Sequence, residues 1–284
     1  METLNKLLQI DGNYILIGLI VIFFTVENLL NNQFKVNKTR KHLLENIGFQ
    51  VIIMVFSFFW ATVIVNSILW LNNHKIGLFY FISIPIWLKL IVGVMIFDFA
   101  IYCFHRTAHR VPVLWRFHRV HHSDSRMDAS SNMRVHPIEM VFFFGSSGII
   151  AAAIFGLDAL SLQVYYFVIT PWVFLEHSNL KYPGWIDKTF GLIFYTPNFH
   201  KVHHDRDQFY TDSNYADIFV LWDRLFGTFK YKPPDEVQLG LKEFEDDTKQ
   251  SFWYLMILPF LNVKRTSSDE LNNSVMESNQ NENI

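Results

Sequence analysis

The sequence predicts an all-α fold: an integral membrane helical bundle of about four to five spans with a helical, histidine-rich cap. Two observations predict it. Hydrophobic residues occupy 51% of the 284 positions and aromatic residues 17%, which is unusual for a soluble protein. Ten of the twelve histidines fall between His105 and His204, most of them in three short clusters. A random arrangement of this composition would not produce such clusters.

Stretches almost free of charge locate the spanning helices. Between positions 47 and 104 the charged side chains are Lys75, Lys89 and Asp98, and between 138 and 175 they are Glu139 and Asp158. A helix needs about 20 apolar residues to cross a bilayer. We therefore predict spans near 13 to 30, 47 to 71, 76 to 104, 138 to 156 and 159 to 176. The third carries Pro85 and could instead be a re-entrant piece leading into a shorter span.

The loop before the second span sets the predicted orientation, because it contains Lys35, Lys38, Arg40 and Lys41. The positive-inside rule places such a loop in the cytoplasm. Counting spans from there brings the stretches 105–136 and 177–204 to the same, cytoplasmic, face. The first apolar segment is interpreted as a retained helix, because its start is not positively charged and no A-x-A cleavage site follows.

The histidine clusters have helical spacing. An H-x3-H string holds His105 and His109, and two H-x2-H-H strings hold His118, His121 and His122, and His200, His203 and His204. Residues three and four apart share a helix face, so each cluster is expected to project its imidazoles in one direction. Pro112 is predicted to separate the first two helices, and Thr196-Pro197 to cap the third.

The number of histidines indicates two metal ions. The clusters supply eight imidazoles, with His177 and His136 nearby, whereas one tetrahedral zinc needs about four ligands. Imidazole suits iron, copper, nickel and zinc, so the residue type does not name the element. The H-E-x-x-H and E-x-x-H motifs of other metal sites are absent from the sequence. The sequence thus predicts a cytoplasmic cap holding an all-histidine dimetal site, with His42 and His74 as solvated loop residues of no function.

Composition limits the partners. A net charge of −2 implies no special attraction to nucleic acid. The single Cys103 excludes a disulfide framework or an iron–sulfur cluster built by this chain alone. No G-x-G-x-x-G dinucleotide motif is present. We divide the chain into N-terminal transmembrane helices (1–104), a first histidine-box region (105–136), a transmembrane hairpin (137–176), a second histidine-box cap (177–263) and a disordered tail (264–284).

Five strings resemble a known family: HRTAH, WRFHRVHHSD, HSN, NFHKVHHD and NYADIFVLWDRLFGT. They are similar to the fatty acid hydroxylase and sterol desaturase superfamily of membrane histidine-box di-iron enzymes, over positions of about 98 to 229. The resemblance implies O2-dependent attack on a C–H bond of a lipid such as a sterol, fatty acyl or ether lipid. It also implies two iron ions (Fe2+/Fe3+), O2 as co-substrate, and electrons from a separate reductase, ferredoxin or b5-type carrier.

The resemblance also implies site residues. The implied metal ligands are His105, His109, His118, His121, His122, His200, His203 and His204, with His177 as a ninth and His136 as a possible tenth. Asp98 lies two helical turns before His105, where its carboxylate could accept the N–H of a ligand imidazole or be a membrane-interface charge. Asn214 and Asp217 belong to the last string, which is expected to fold over the metal site, with Asp217 orienting a histidine.

Hydroxylation is favoured, although the sequence does not separate it from desaturation, and two other classes stay open. A histidine-rich membrane metal transporter would place its ligands at mid-membrane in broken helices. A zinc-stabilised non-catalytic membrane protein would have fully closed sites.

Overall fold

The computed structural model describes residues 12–30, 32–34 and 40–266. In these ranges the chain is helical, and its extended pairing is limited to three isolated bridges. The all-α prediction is therefore confirmed. Lys35 and Lys38 of the charged loop, and the predicted tail from position 267 onward, lie outside the described residues.

The α-helices follow one another along the chain with short connections. They are α1 (Gly12–Leu29), α2 (Arg40–Asn73), α3 (Ile86–Arg110), α4 (Pro112–His122), α5 (Gly145–Phe155), α6 (Ala159–His177), α7 (Trp185–Thr189), α8 (Pro197–His203), α9 (Gln208–Thr211), α10 (Leu221–Leu225) and α11 (Phe252–Ile257). A π-helix, Glu139–Phe144, leads directly into α5. Short 3-10 helices connect these elements at Leu78–Tyr80, Ala129–Met133, Phe190–Leu192, Pro234–Glu236, Lys242–Phe244, Asp247–Gln250 and Leu258–Phe260.

Four helical stretches are long and apolar enough to cross a membrane: α1, α2 with the 3-10 turn that follows it, α3 and α6. The fifth predicted span, 138 to 156, corresponds to the shorter apolar stretch Glu139–Phe155. The predicted bounds of two spans were wrong. Helix α2 begins at Arg40 rather than near 47, and α3 begins at Ile86 rather than near 76, because Pro85 occupies the position just before its first turn.

The spanning helices pack around α3. Its Gly93 faces Ser161 and Leu157, where an added Cβ would lie 3.2 Å from the Ser161 Cβ, and small residues of this kind let membrane helices approach closely. At the end of the bundle away from the clusters, Lys89 Nζ lies 2.8 Å from Asp158 Oδ2. Gly156, with φ +74°, ends α5 in the left-handed conformation. These contacts fix the end of the bundle opposite the histidines.

The opposite end carries the histidines. Helix α3 runs without a break through His105 and His109 to Arg110, and Pro112 is the first residue of α4, as predicted. Thr196 caps α8 by accepting from the Phe199 N–H at 3.3 Å. Helix α6 returns to the same end and finishes at His177. The prediction that the two distant histidine stretches meet on one side of the bundle is confirmed.

Candidate metal centre

Nine of the ten predicted ligands form two buried groups that could each hold a metal ion. The five-histidine group consists of His105, His109, His118, His122 and His203, and the four-histidine group consists of His121, His177, His200 and His204. Within each group the candidate ligand atoms lie within 4.8 Å of one another.

The two H-x2-H-H strings are each divided between the groups, and this corrects the expectation that each cluster points in one direction. His118 and His122 belong to the five-histidine group while His121 belongs to the other. In the second string, His200 and His204 share the four-histidine group and His203 faces the five. Residues four apart differ by about 40° around a helix axis, whereas neighbours differ by about 100°. The middle histidine of each string therefore reaches across to the other group.

Backbone carbonyls set the tautomers of three rings. His105 Nδ1 donates to the Tyr215 carbonyl at 2.9 Å, His177 Nδ1 to the Val173 carbonyl at 2.7 Å, and His203 Nδ1 to the Ser213 carbonyl at 2.7 Å. A carbonyl can only accept, so each Nδ1 carries the hydrogen and each Nε2 keeps a lone pair. Contacts of this kind orient the histidine ligands of metal sites.

Two carboxylates orient further rings, and the sequence analysis did not assign either to the site. Glu139 Oε1 lies 2.6 Å from His118 Nδ1, and Asp212 Oδ1 lies 3.2 Å from His109 Nδ1. An ionisable residue in an otherwise apolar run is a signal for function, and it could have identified Glu139. No comparable signal marks Asp212, whose role depends on where a loop folds.

The spacing of the Nε2 atoms fits bound cations. His118 Nε2 lies 3.1 Å from His105 Nε2 and 3.0 Å from His122 Nε2. In the four-histidine group the corresponding separations from His177 are 3.0 Å to both His121 and His200. Two imidazole ligands at right angles, each about 2.1 Å from an ion, are about 3 Å apart. Lone pairs that face each other at this distance repel unless a cation lies between them.

Two further imidazole nitrogen atoms of the five-histidine group are available to bind a metal ion. His109 Nε2 and His203 Nε2 are buried without a hydrogen-bond partner in the part of the chain that the structure describes. A buried, unpaired polar atom is costly, and coordination to a metal would satisfy both. The residues present thus fit one ion in each group.

The electrostatics favour the neutral imidazoles that metals bind. Burial, together with the charge of Arg265, lowers the pKa of His118 to about 3. Burial, and after it the neighbouring histidines, hold the pKa of His121, His122, His200, His203 and His204 well below the ordinary value. These rings need not lose a proton near neutral pH before binding an ion.

Asn214 acts on the site through its loop. Its φ is +55°, and its side chain accepts from the Lys230 N–H at 2.7 Å and donates to the Phe199 carbonyl at 3.1 Å. The residues on either side, Ser213 and Tyr215, supply the carbonyls that bind His203 and His105. Asn214 therefore positions two acceptors without touching a histidine ring through a hydrogen bond of its own.

The other predicted supporting residues lie elsewhere. Asp98, for which contact with a ligand imidazole was one of two alternatives, instead accepts from the N–H groups of Ile218 and Phe219 and from Trp222 Nε1. The carbonyl of Tyr215, in the segment that folds over the site, accepts from His105 Nδ1 instead. None of the hydrogen bonds among the described residues joins Asp217 to a histidine. Burial and the nearby carboxyls of Asp98 and Asp223 raise the pKa of Asp217 well above its ordinary value.

Two further histidines lie outside the groups. His136, the possible tenth ligand, belongs to neither group: its Nε2 lies 3.2 Å from the Met256 carbonyl and its Nδ1 accepts from the Ile138 N–H. His42 was predicted to be a solvated loop residue, which was wrong. It lies on α2, 3% exposed, and its Nε2 is 2.9 Å from Asp124 Oδ2. The basic residues around position 40 favoured a loop in the sequence analysis, but helix α2 begins at Arg40 and buries the His42 side chain.

A cavity of about 550 Å³ connects both groups to the membrane helices. His105 and His118 of the five-histidine group and His121, His177 and His200 of the four-histidine group line it, together with Asp217. The rest of its wall is mainly apolar and comes from α1, α2, α3, α5 and α6, from the π-helix and from the segment just before it. It extends along α6 from His177 at least to Tyr166, about 16 Å at 1.5 Å per residue. An apolar chain is the ligand that this shape and lining suit.

Known proteins are similar in sequence to the part of the chain that carries the histidine groups. Residues 90–228 match the family model described as fatty acid hydroxylase. The chain is 28% identical over 192 residues to the alkylglycerol monooxygenase of Homo sapiens, 36% over 177 residues to that of Danio rerio, and 32% over 160 residues to the ornithine lipid hydroxylase OlsE of Rhizobium tropici. The matches cover 66%, 57% and 55% of this chain but 40%, 35% and 46% of those proteins. The chain thus spans less than half the length of these relatives, and no solved structure matches it.

Proposed function

We propose that this chain is an O2-dependent membrane monooxygenase of the fatty acid hydroxylase superfamily, whose model it matches over residues 90–228, and that it hydroxylates a C–H bond of a lipid. One observation carries the proposal: both histidine groups open into the same apolar cavity between the membrane helices. A lipid chain in that cavity would bring its carbon atoms directly to the metal ligands.

We assign one iron ion to the five-histidine group and one to the four-histidine group. The bound irons would supply the reduction of O2 and the oxidation of the C–H bond. The reaction consumes O2, two electrons and two protons, and it leaves one oxygen atom in the lipid hydroxyl and the other in water. The carbonyls of Tyr215, Ser213 and Val173 and the carboxylates of Glu139 and Asp212 hold the ligand rings in place.

The position of the groups favours this proposal over a metal transporter. His109 lies one residue before the end of α3, and His177 is the last residue of α6. A transporter would be expected to hold its ions near the middle of the membrane in interrupted helices. The cavity also argues against a zinc-stabilised scaffold, because a structural zinc site is closed by its own four ligands.

The substrate is proposed to be a lipid with a long apolar part. The relatives described above are named for alkylglycerols and ornithine lipids, and a further one, 29% identical over 138 residues, is the cholesterol 25-hydroxylase of Homo sapiens. Their names share hydroxylation of a lipid and differ in the lipid, so we do not choose among these head groups. The apolar lining of the cavity in this chain suits the apolar part of each of these lipids.

We place the metal centre on the cytoplasmic side, with electrons delivered by a separate reductase, ferredoxin or b5-type carrier. Arg40 and Lys41, at the start of α2, lie at the same end of the bundle as the histidines, since His42 contacts Asp124 just after the second cluster. Positive charge next to membrane helices is typical of the cytoplasmic face.

The test uses the full chain in nanodiscs, loaded with iron, reduced with dithionite and mixed with a total lipid extract and isotope-labelled O2. We expect a lipid that gains one labelled oxygen atom, detected by mass spectrometry, and about two irons per chain by elemental analysis. A His203→Ala variant should give no labelled product. Loss of two hydrogens without label would replace hydroxylation by desaturation, and no lipid change with iron bound would overturn the proposal.

A further inference from the structure

Trp115 contacts the five-histidine group from outside. Its ring centroid lies 4.9 Å from that of His109 and 5.5 Å from that of His122. The indole therefore forms a continuous aromatic contact with two of the proposed ligands. It belongs to a small core cluster together with Val120, Leu255 and Leu258 of the cap, so its orientation is fixed by packing.

Arg265 lies on the outer side of His109. Its guanidinium carbon lies 3.9 Å from the centre of the Trp115 ring, and its Nη2 donates to Asp212 Oδ1 at 2.8 Å. Asp212 Oδ1 in turn lies 3.2 Å from His109 Nδ1. One surface arginine thus touches both groups, the indole and the carboxylate, that reach His109.

The approach of Arg265 is built into the fold. Buried Arg119 of α4 donates to the carbonyls of Val263 and Leu258 at 2.8 Å and of Leu261 at 3.1 Å. These three bonds fix the segment that precedes Arg265 against the helix carrying His118, His121 and His122. The backbone just before Arg265 is therefore held in place, and this keeps the Arg265 side chain close to Trp115.

This side of the site reaches solvent. The side chains of Asp212 and Arg265 are 29% and 19% exposed, whereas Glu139, the other carboxylate that binds a ligand ring, is 1% exposed. Exposed Arg110 and Lys264 add positive charge nearby. Arg110, like Asp212, lies close enough to Tyr215 to influence the pKa of its hydroxyl, and Lys264 directly precedes Arg265. The carboxylate of Asp212 pairs with Arg265 and lies against His109, and that of Glu243 accepts from the Thr266 N–H at 2.5 Å.

From these contacts we infer that electrons enter the metal centre at His109, through Trp115, from an acidic one-electron carrier protein that docks over Arg265. This inference rests on the proposed function, because hydroxylation requires two electrons from outside the chain. A basic rim around an aromatic contact suits an acidic partner, and charge complementarity of this kind raises the association rate at low salt. The carrier is oxidised by one electron in each of two encounters, and the metal centre is reduced by two.

The test measures electron transfer without lipid and without O2. The iron-loaded full chain in nanodiscs, oxidised beforehand, is mixed anaerobically with a reduced, acidic plant-type [2Fe–2S] ferredoxin, and oxidation of the ferredoxin is followed by absorbance. We expect Arg265→Gln to slow the second-order rate about tenfold and to reduce its salt dependence. Trp115→Leu should slow transfer at saturating ferredoxin, and Trp115→Phe should restore most of the rate.

Arg126→Gln is the matched control, because Arg126 also pairs with an aspartate, Asp247, and is 27% exposed. It should transfer electrons like the wild type. Iron content and thermal unfolding check that each variant is folded and loaded. Wild-type rates in Arg265→Gln and Trp115→Leu would overturn the inference, as would a wild-type protein that dithionite reduces but ferredoxin does not. Failure of the proposed function is separate: the dithionite-reduced wild type would then oxidise no lipid.

Discussion

Glu139 and His118 are joined by a hydrogen bond of 2.6 Å between Oε1 and Nδ1, and both side chains are almost fully buried. The bond links the π-helix at the start of the apolar hairpin to the second histidine cluster. Because the carboxylate orients the ring and increases its basicity, Glu139→Ala should weaken iron binding about 10- to 100-fold. Glu139→Gln, which keeps an acceptor, should have a smaller effect. Iron affinity is measured by titration with a competing chelator.

Asp158→Asn is the control for Glu139, because Asp158 is another carboxylate of the hairpin and pairs with Lys89 at the opposite end of the bundle. It should bind iron like the wild type. Unchanged iron affinity in Glu139→Ala would show that the bond does not support the metal.

Removing one histidine from each group should affect one ion at a time. His203→Ala should lose the ion of the five-histidine group and His121→Ala that of the four-histidine group, so that each variant retains about one iron per chain. Lipid oxidation should be abolished in both while membrane insertion continues. His136→Ala, whose ring bonds the Met256 carbonyl instead, should keep both ions. A loss of iron in that variant would contradict the division into two groups.

Narrowing the cavity should block the lipid and spare the metal. Ile169 lines the cavity and is 8% exposed, so Ile169→Trp should place an indole where the lipid chain would lie and reduce product formation at least tenfold. Ile91→Trp puts the same side chain on the outside of α3, where Ile91 is 55% exposed. Product formation by mass spectrometry and iron content are measured for both. Equal activity in the two variants would exclude this cavity as the lipid site.

The buried pair of His42 and Asp124 should contribute to stability. His42→Ala leaves the Asp124 carboxylate without its closest ring partner, and breaking a buried pair costs about 3–5 kcal/mol. For a chain of this size the melting temperature should fall by about 6 °C or more. His74→Ala is the control, since His74 is exposed and its Nδ1 lies 2.8 Å from the carbonyl of Trp70 on the same helix. Thermal unfolding in detergent compares them, and equal melting temperatures would refute the role of His42.

Acidification should destabilise the metal-free protein. In the folded chain the pKa of His118 lies below the value of about 6.5 that an unfolded histidine has. The same holds for the pKa values of His121, His122, His200, His203 and His204. The unfolded state therefore binds more protons as the pH falls below about 6.5, and stability decreases with it. The melting temperature of the metal-free protein should drop between about pH 7.5 and pH 5. Iron-loaded protein should melt higher throughout, and a flat profile would contradict the lowered pKa values.

Much of the site could be predicted because its ligands are local in sequence. Spacings of three and four residues fix the relative directions of His118, His121 and His122 once a helix is assumed, and the prolines at 112 and 197 fix where those helices begin. The division of each string between two ions also follows from helix geometry. The prediction of a single face for each string was wrong because neighbouring residues on a helix lie about 100° apart around its axis.

The partners of the rings could not be predicted in the same way. Asp212 reaches His109 across 103 positions of sequence, and the Tyr215 carbonyl reaches His105 across 110. Such contacts depend on the path of the loop that Asn214 and Asp223 hold in place, and the sequence pattern gives no signal for that path. Asp98 shows the same limit, because its helical alignment with His105 was correct while its partners lie on another segment.

The unbroken course of α3 ties the chemistry of the site to the thickness of the host bilayer. This helix has 25 residues and carries Lys89, paired with Asp158, near one end and His105 and His109 near the other. A rigid rod that is longer or shorter than the surrounding hydrocarbon tilts or deforms the bilayer. The depth of the two histidine groups relative to the lipid head groups then shifts with the acyl composition of the membrane, and under the proposed function the carbon atom presented to them would shift as well. The same enzyme would accordingly give different positional isomers in thin and thick membranes.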